Sequence, residues 1–171
     1  TPLISVEGTR EVSDVRRGRP SVLERTQKGI EACRRNRLIF GVATSVCQSN
    51  IDDVLQPAWV DELVAMGAAY AWLHTYRAVG PDPHPELALR PDQIVAVRRF
   101  GVQMRSQKPI AFIDAYWDDQ GQALCPAAVG ISHHIGPGGH VEPCPIIQFA
   151  TDTIRDRGGD LYTTMTSSAF L

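Results

Sequence analysis

Cys125 and Cys144 bracket a run that also holds His133, His134, His140 and Glu142. Thiolates are soft ligands that suit iron–sulfur clusters or zinc. Gly136-Pro137-Gly138-Gly139 lies between them as a turn sequence, and Val129, Ile131, Ile135 and Val141 are short apolar pieces of strand character on either side. A hairpin folded about this turn makes its flanks antiparallel neighbours and carries the two cysteines toward one end. Two thiols fall short of the about four that cluster sites take, so further ligands would have to lie beyond Leu171. A zinc site would add one or two of the three histidines. His133 and His134 are adjacent, and adjacent strand residues point to opposite faces, so both cannot easily ligate one ion. The structural alternative is a hairpin flanked by two half-buried cysteines. Cys33, on an apolar helical face, and Cys47, in a loop, read as packing residues.

A second set of polar residues follows apolar runs: Ser5 and Glu7, Thr44 and Asn50, His74 and Tyr76, Asp114 and Tyr116. The elements that carry them alternate. Leu3 to Val6 reads as a strand, with Glu7-Gly8 turning the chain and a loop from Thr9 to Gly18. Pro20-Ser21 opens a helix, Ser21 as N-cap and Glu24 completing a capping box. Leu38 to Val42 is a second strand, followed by a loop from Thr44 to Asn50. The next helix runs from Pro57 to Met66 with Gly67 as its stop, and Ala68 to Leu73 is a third strand. Pro81, Pro83 and Pro85 forbid regular structure in their segment. A helix beginning near Pro91 turns Ile94, Val95, Val97 and Phe100 inward, and Pro109 to Ile113 is a fourth strand. After the hairpin, Ile146 to Ala150 enters a helix ending near Gly158-Gly159.

Strand, loop, helix, strand in repetition makes a parallel α/β arrangement. A closed eight-fold barrel takes about 250 residues, more than the 171 here. The expected fold is therefore a partial (β/α) TIM-type barrel of about four to five parallel strands plus a C-terminal β-hairpin. Residues 1–122 form the barrel part and 123–171 the start of an extension. In such folds the working residues stand where strands end and loops begin, which is where the polar pairs fall.

The bulk composition narrows the classes. A net charge of −2 gives no footprint for nucleic acid. No apolar run is long enough to span a membrane, and the start of the chain lacks a signal-peptide pattern. Four widely spaced cysteines do not form a secreted disulfide framework, which points to the cytoplasm. The chain begins at Thr1 without Met and stops at Phe170-Leu171 without punctuation, the expectation being a piece of a longer protein.

Several of these segments resemble one family. Ser5-Val6-Glu7-Gly8 followed by Asp14-Val15-Arg16-Arg17-Gly18 resembles the pattern after the fourth strand of radical S-adenosylmethionine (radical SAM) enzymes. Gly41 to Val46 with Asn50 resembles that family's next strand and loop, and Tyr76-Arg77-Ala78-Val79-Gly80 its exit from the sixth strand. Gly136 to Cys144 is similar to the hairpin and cysteine of the superfamily's SPASM or twitch extension. The defining Cys-x-x-x-Cys-x-x-Cys is absent.

The resemblance implies a fragment of an enzyme using S-adenosylmethionine and a 4Fe-4S cluster in a redox or group-transfer reaction, inactive alone. Ser5, Glu7, Arg17, Thr44 and Asn50 would hold the cofactor: Ser5 and Glu7 near its ribose or methionyl group, the Arg17 fork on its carboxylate. His74, Tyr76 and Asp114 would face a small-molecule or peptide substrate. Cys125 and Cys144 would contribute to an auxiliary iron–sulfur cluster, and flavodoxin or ferredoxin would donate electrons. The runner-up is a non-catalytic α/β binding module with a structural cysteine hairpin. A metal-dependent hydrolase ranks last, for want of a His-x-His or carboxylate set.

Overall fold

The computed structural model describes residues 1–113, 120, 125, 127, 132–147, 149–156 and 158–166. The chain divides into two compact units, Thr1–Asp114 and Ala115–Leu171.

The first unit is α/β. Its order is β1 (Leu3–Ser5), α1 (Arg10–Arg17), α2 (Val22–Arg35), β2 (Gly41–Val46), α3 (Ile51–Val54), α4 (Pro57–Met66), β3 (Tyr70–Thr75), a short 3-10 turn (Pro85–Leu87), α5 (Pro91–Gln107) and β4 (Ala111–Ile113). The four strands form one parallel sheet in the spatial order β1-β2-β3-β4, the order of the chain itself. Parallel crossovers are right-handed, so a sheet that never reverses its strand order receives its crossover helices on one face. The burial agrees. Val6, Val42, Val46, Ala71 and Phe112 share a core with Leu23 and Ile30 of α2, Trp59 and Leu63 of α4, and Val97, Phe100 and Met104 of α5. Each such side chain contributes about 1.5–3 kcal/mol by leaving water.

Side chains alternate along a strand, so the intervening residues form the opposite face. The register gives its rows: Leu3, Gly41, Tyr70 and Ala111, then Ser5, Ala43, Trp72 and Ile113, then Ser45 and His74. Leu3 and Ile113 remain 44% and 37% exposed, a degree of exposure that separates this face from the core side.

Local chemistry moves several boundaries from their expected places. Thr9 to Gly18 is a helix rather than a loop, closed by Gly18 at φ 63°. Ser21 does not cap α2, because it takes φ 59° and makes no side-chain cap bond. Asp14 caps it instead, its carboxylate accepting from the amides of Ser21, Val22 and Leu23. The second strand lies three residues later than expected. The Leu38 amide donates to Cys33 O and finishes the α2 turn, which leaves Leu38 and Ile39 in the exposed connector. α4 starts at Pro57 and ends on Gly67 at φ 90°, as its sequence predicts.

The second unit has a small antiparallel sheet, β5 (His134–Ile135), β6 (His140–Glu142) and β7 (Asp152–Thr153), in that order, and a short helix α6 (Leu161–Thr166). The expected Pro-Gly-Gly hairpin is present: the Gly136 amide donates to His140 O, the Gly139 amide donates to Gly136 O, and Gly139 takes φ 85°. Val141 is its buried centre. The helix expected to follow Ile146 to Ala150 and end near Gly158-Gly159 is not formed among the described residues. Cys144 bridges to Ile147, and Asp152–Thr153 pairs as β7. No helix among the described residues is long and apolar enough to cross a membrane.

Candidate functional site

The carboxyl ends of β1 and β2 meet at Glu7, just past β1. Its carboxylate is buried yet charged side chains surround it: Arg17 donates to Oε1 at 2.6 Å, and Arg16 Nε stands 3.4 Å from Oε2. The Ser45 amide donates to Oε2 at 3.2 Å. The Arg16 Nε contact is an ion pair without hydrogen-bond alignment. Both terminal nitrogens of that guanidinium donate as well, Nη1 to Cys47 Sγ and Ser49 Oγ and Nη2 to Ser45 O. Arg16 and Arg17 reach the carboxylate because α1 follows the Glu7-Gly8 turn directly. Gly8 takes φ 134°, and a Cβ there would lie 2.2 Å from Asp53 Oδ2, whose carboxylate also accepts from the Thr9 amide.

Asn50 stitches this end of the sheet. Its Oδ1 accepts from the Cys47 amide at 2.8 Å, while Nδ2 donates to Glu7 O at 2.9 Å and to Ser45 O at 3.0 Å. Thr44 lies on the core side, its hydroxyl donating to Val6 O at 2.6 Å. Both side chains thus spend their hydrogen-bonding capacity on the backbone, whereas the Ser5 hydroxyl stands on the exposed face.

Trp72 and His74 stack on that face of β3, ring centroids 4.5 Å apart and planes inclined by 27°. Burial of His74 lowers its pKa from 6.5, which favours the uncharged ring. Trp72 Nε1 is buried without a hydrogen-bond partner among the described residues. Tyr76 lies just past β3, its amide donating to Val46 O at 2.8 Å.

Of the residues singled out from sequence, the structure brings Glu7, Arg17 and Asn50 into one hydrogen-bonded group, with Ser5 and His74 on the adjoining face. Asp114 lies outside the described residues. Cys125 is exposed and Cys144 half-buried. Among the described residues no three His, Cys, Asp or Glu side chains group as metal ligands. The hairpin histidine with a carboxylate partner is His134, whose Nδ1 lies 2.8 Å from Glu142 Oε2 across the β5–β6 pair. Ser45 and Trp72 join the site without having been singled out, and Cys47, read from sequence as a packing residue, accepts from Arg16. Trp72 was legible by counting back two residues from His74 along an alternating strand. The Arg16–Cys47 contact joins segments 31 residues apart, and no local pattern signals it.

No family model matches the chain, and no curated protein matches it.

Proposed function

We propose that this chain is part of a radical S-adenosylmethionine enzyme, its parallel sheet one arc of a (β/α) barrel continuing into a SPASM- or twitch-like extension. The observation that carries the reading is the sheet's strand order. It follows the chain without reversal, as in an arc of a barrel, and sets Ser5, Glu7, Ser45 and His74 along one carboxyl edge, where the resemblance expects polar groups.

The residues present do not fit the radical-generating 4Fe-4S cluster. Cys33 lies on α2, and Cys47 is buried against Arg16. Nor do Cys125 and Cys144 make a cluster site among the described residues. The fit to S-adenosylmethionine is better. Ser5 offers a hydroxyl on the exposed face, and Arg17, 41% exposed, keeps part of its guanidinium toward solvent while one nitrogen holds Glu7. When bound and reduced by one electron from the donor, S-adenosylmethionine would supply the hydrogen-abstracting power for a redox or group-transfer reaction. The chain's own residues bind and orient. Ser5 donates to or accepts from a ribose hydroxyl, Arg17 pairs with a carboxylate, and Glu7 keeps both arginines aimed at the strand ends. Neutral His74 and Trp72 form a wall toward a small-molecule or peptide substrate. Reduced flavodoxin or ferredoxin in the cytoplasm completes the proposal as electron donor.

The test uses the natural polypeptide that contains this chain, purified without oxygen and supplied with iron and sulfide. Reductant-dependent conversion of S-adenosylmethionine to 5′-deoxyadenosine is the expected result, with Arg17→Ala raising KM for S-adenosylmethionine. If no 5′-deoxyadenosine forms, the reading fails and a non-catalytic α/β binding module takes its place.

A further inference from the structure

The exposed face of the parallel sheet carries no charged side chain in its strands, while its rim carries Glu7, Arg16 and Arg17. At the amino-terminal level Tyr70 leans across Gly41: a Cβ on Gly41 would lie 2.1 Å from the ring, and the Tyr70 hydroxyl donates to Pro2 O at 3.3 Å. That level is filled. One level up, Ala43 sits in register between Ser5 and Trp72, a methyl between a hydroxyl and an indole. On the next level Ser45 adjoins His74, which stacks on Trp72. Small side chains on β2 beside paired rings on β3 make a step in the surface. Tyr70 closes it below and the ionic rim borders it above.

The chemistry of the step is selective. A charged group laid there would lose hydration against Ala43 and the rings. A flat ring would gain apolar contact with Ala43 and an aromatic neighbour in Trp72.

We infer that this wall receives an uncharged, flat, largely apolar body of the substrate, an aromatic or conjugated ring, lying over Ala43 against Trp72. The inference rests on the reading above that this face lines a substrate-bearing interior.

The probe is N-phenyl-1-naphthylamine, an uncharged dye that brightens in apolar sites, titrated into the folded chain. Saturable binding with energy transfer from tryptophan is expected. Ala43→Leu, which fills the step from a position outside the core, weakens binding at least fivefold while leaving the urea midpoint unchanged, and Trp72→Phe weakens it about twofold. A naphthalene bearing a quaternary ammonium binds at least tenfold more weakly than the neutral dye. Equal affinity in wild type and Ala43→Leu, or equal affinity for the neutral and cationic probes, overturns the inference. Formation of 5′-deoxyadenosine by the natural polypeptide is a separate readout, so either idea can fail alone.

Discussion

Glu7→Gln keeps the size of the side chain and one acceptor for the Ser45 amide, and removes only the charge. Its cost follows from the two arginines. Arg17 is 41% exposed, so water screens its pair and the loss there is about 0.5–1 kcal/mol. Arg16 is 14% exposed, and removing the partner of a fully buried charge costs about 3–5 kcal/mol. Arg16 keeps its bonds to Cys47, Ser49 and Ser45 O, which reduces its share to about 1–2 kcal/mol. The sum is a loss of about 1.5–3 kcal/mol, and Glu7→Ala adds about 1 kcal/mol for the orphaned Ser45 amide. Urea unfolding followed by far-ultraviolet circular dichroism measures both. The double mutants divide the effect: Glu7→Gln with Arg16→Met shows a coupling of about 1–2 kcal/mol, and Glu7→Gln with Arg17→Met a smaller one. A loss below about 0.5 kcal/mol for Glu7→Gln would refute the picture of a charge held by burial. So would stronger coupling to Arg17 than to Arg16, because exposure would then not set the strength of the pair.

Asn50→Ala strips partners from the Cys47 amide and from the carbonyls of Glu7 and Ser45, for a loss of about 2–4 kcal/mol in the same assay. Asn50→Asp recovers only the Cys47 contact, since a carboxylate cannot donate to carbonyls. Asp14→Ala removes the acceptor at the start of α2 and costs about 1–2 kcal/mol, while Ser21→Ala costs a few tenths of that or less. His74 gives a pH signature. Burial lowers its folded pKa below 6.5, so the unfolded state binds the proton more tightly, and stability is lost as pH falls from about 6.5 through the lower folded value. His84 tilts the other way, its pKa raised by the hydrogen bond to Glu86 and then by the charge of Asp82, with stability lost as pH rises through its folded value. The expected result is therefore a difference: His74→Gln flattens the fall of the urea midpoint below pH 6.5, and an unchanged slope contradicts the burial of the imidazole.

How far the sequence carried depended on the range of the physics involved. Pro57 and Gly67 act through their own dihedrals, and α4 begins and ends on them. The alternation of strand and helix placed four parallel strands, because periodic burial is a property of neighbouring residues. Ser21 looked like a cap because it precedes a helix with Glu24 in the capping-box position. The bonds went to Asp14, which α1 brings across the Gly18 turn, and a pattern search along the chain does not see a cap donated by the preceding helix. The apolar pair Leu38-Ile39 drew the second strand three residues too early. Hydrophobicity marks a strand's neighbourhood, but pairing fixes its register, and the pairing partner of Gly41 is Leu3 on one side and Tyr70 on the other. At the site, Glu7 with Arg16 or Arg17 was within reach of sequence, being separated by one helix. The join of that pair to Cys47, Ser49 and Asn50 needed β2 laid beside β1.

Register ties the stability of this unit to the chemistry of its face. Ile4 of β1 and Val6 just after it point to the core while Ser5 points away, and a slip of one residue against β2 would exchange them. With only three residues in β1, the ladder to β2 resists such a slip weakly. Glu7 and Asn50 add what the short strand lacks. The Ser45 amide on the Glu7 carboxylate, the Asn50 amide on Glu7 O, and the Thr44 hydroxyl on Val6 O all join β1's exit to β2 in a single register. Three of these polar groups are therefore engaged in backbone contacts, and the residues left to meet a ligand are those the same register turns outward, Ser5, Ala43, Trp72 and His74. Loosening Glu7 or Asn50 should then impair ligand binding at Ser5 before the fold is lost. The measurable form is a fall in probe affinity for Asn50→Asp, under conditions where circular dichroism still reports a folded chain. Affinity unchanged in that variant would mean that the ladder alone sets the register and that the polar stitching serves stability only.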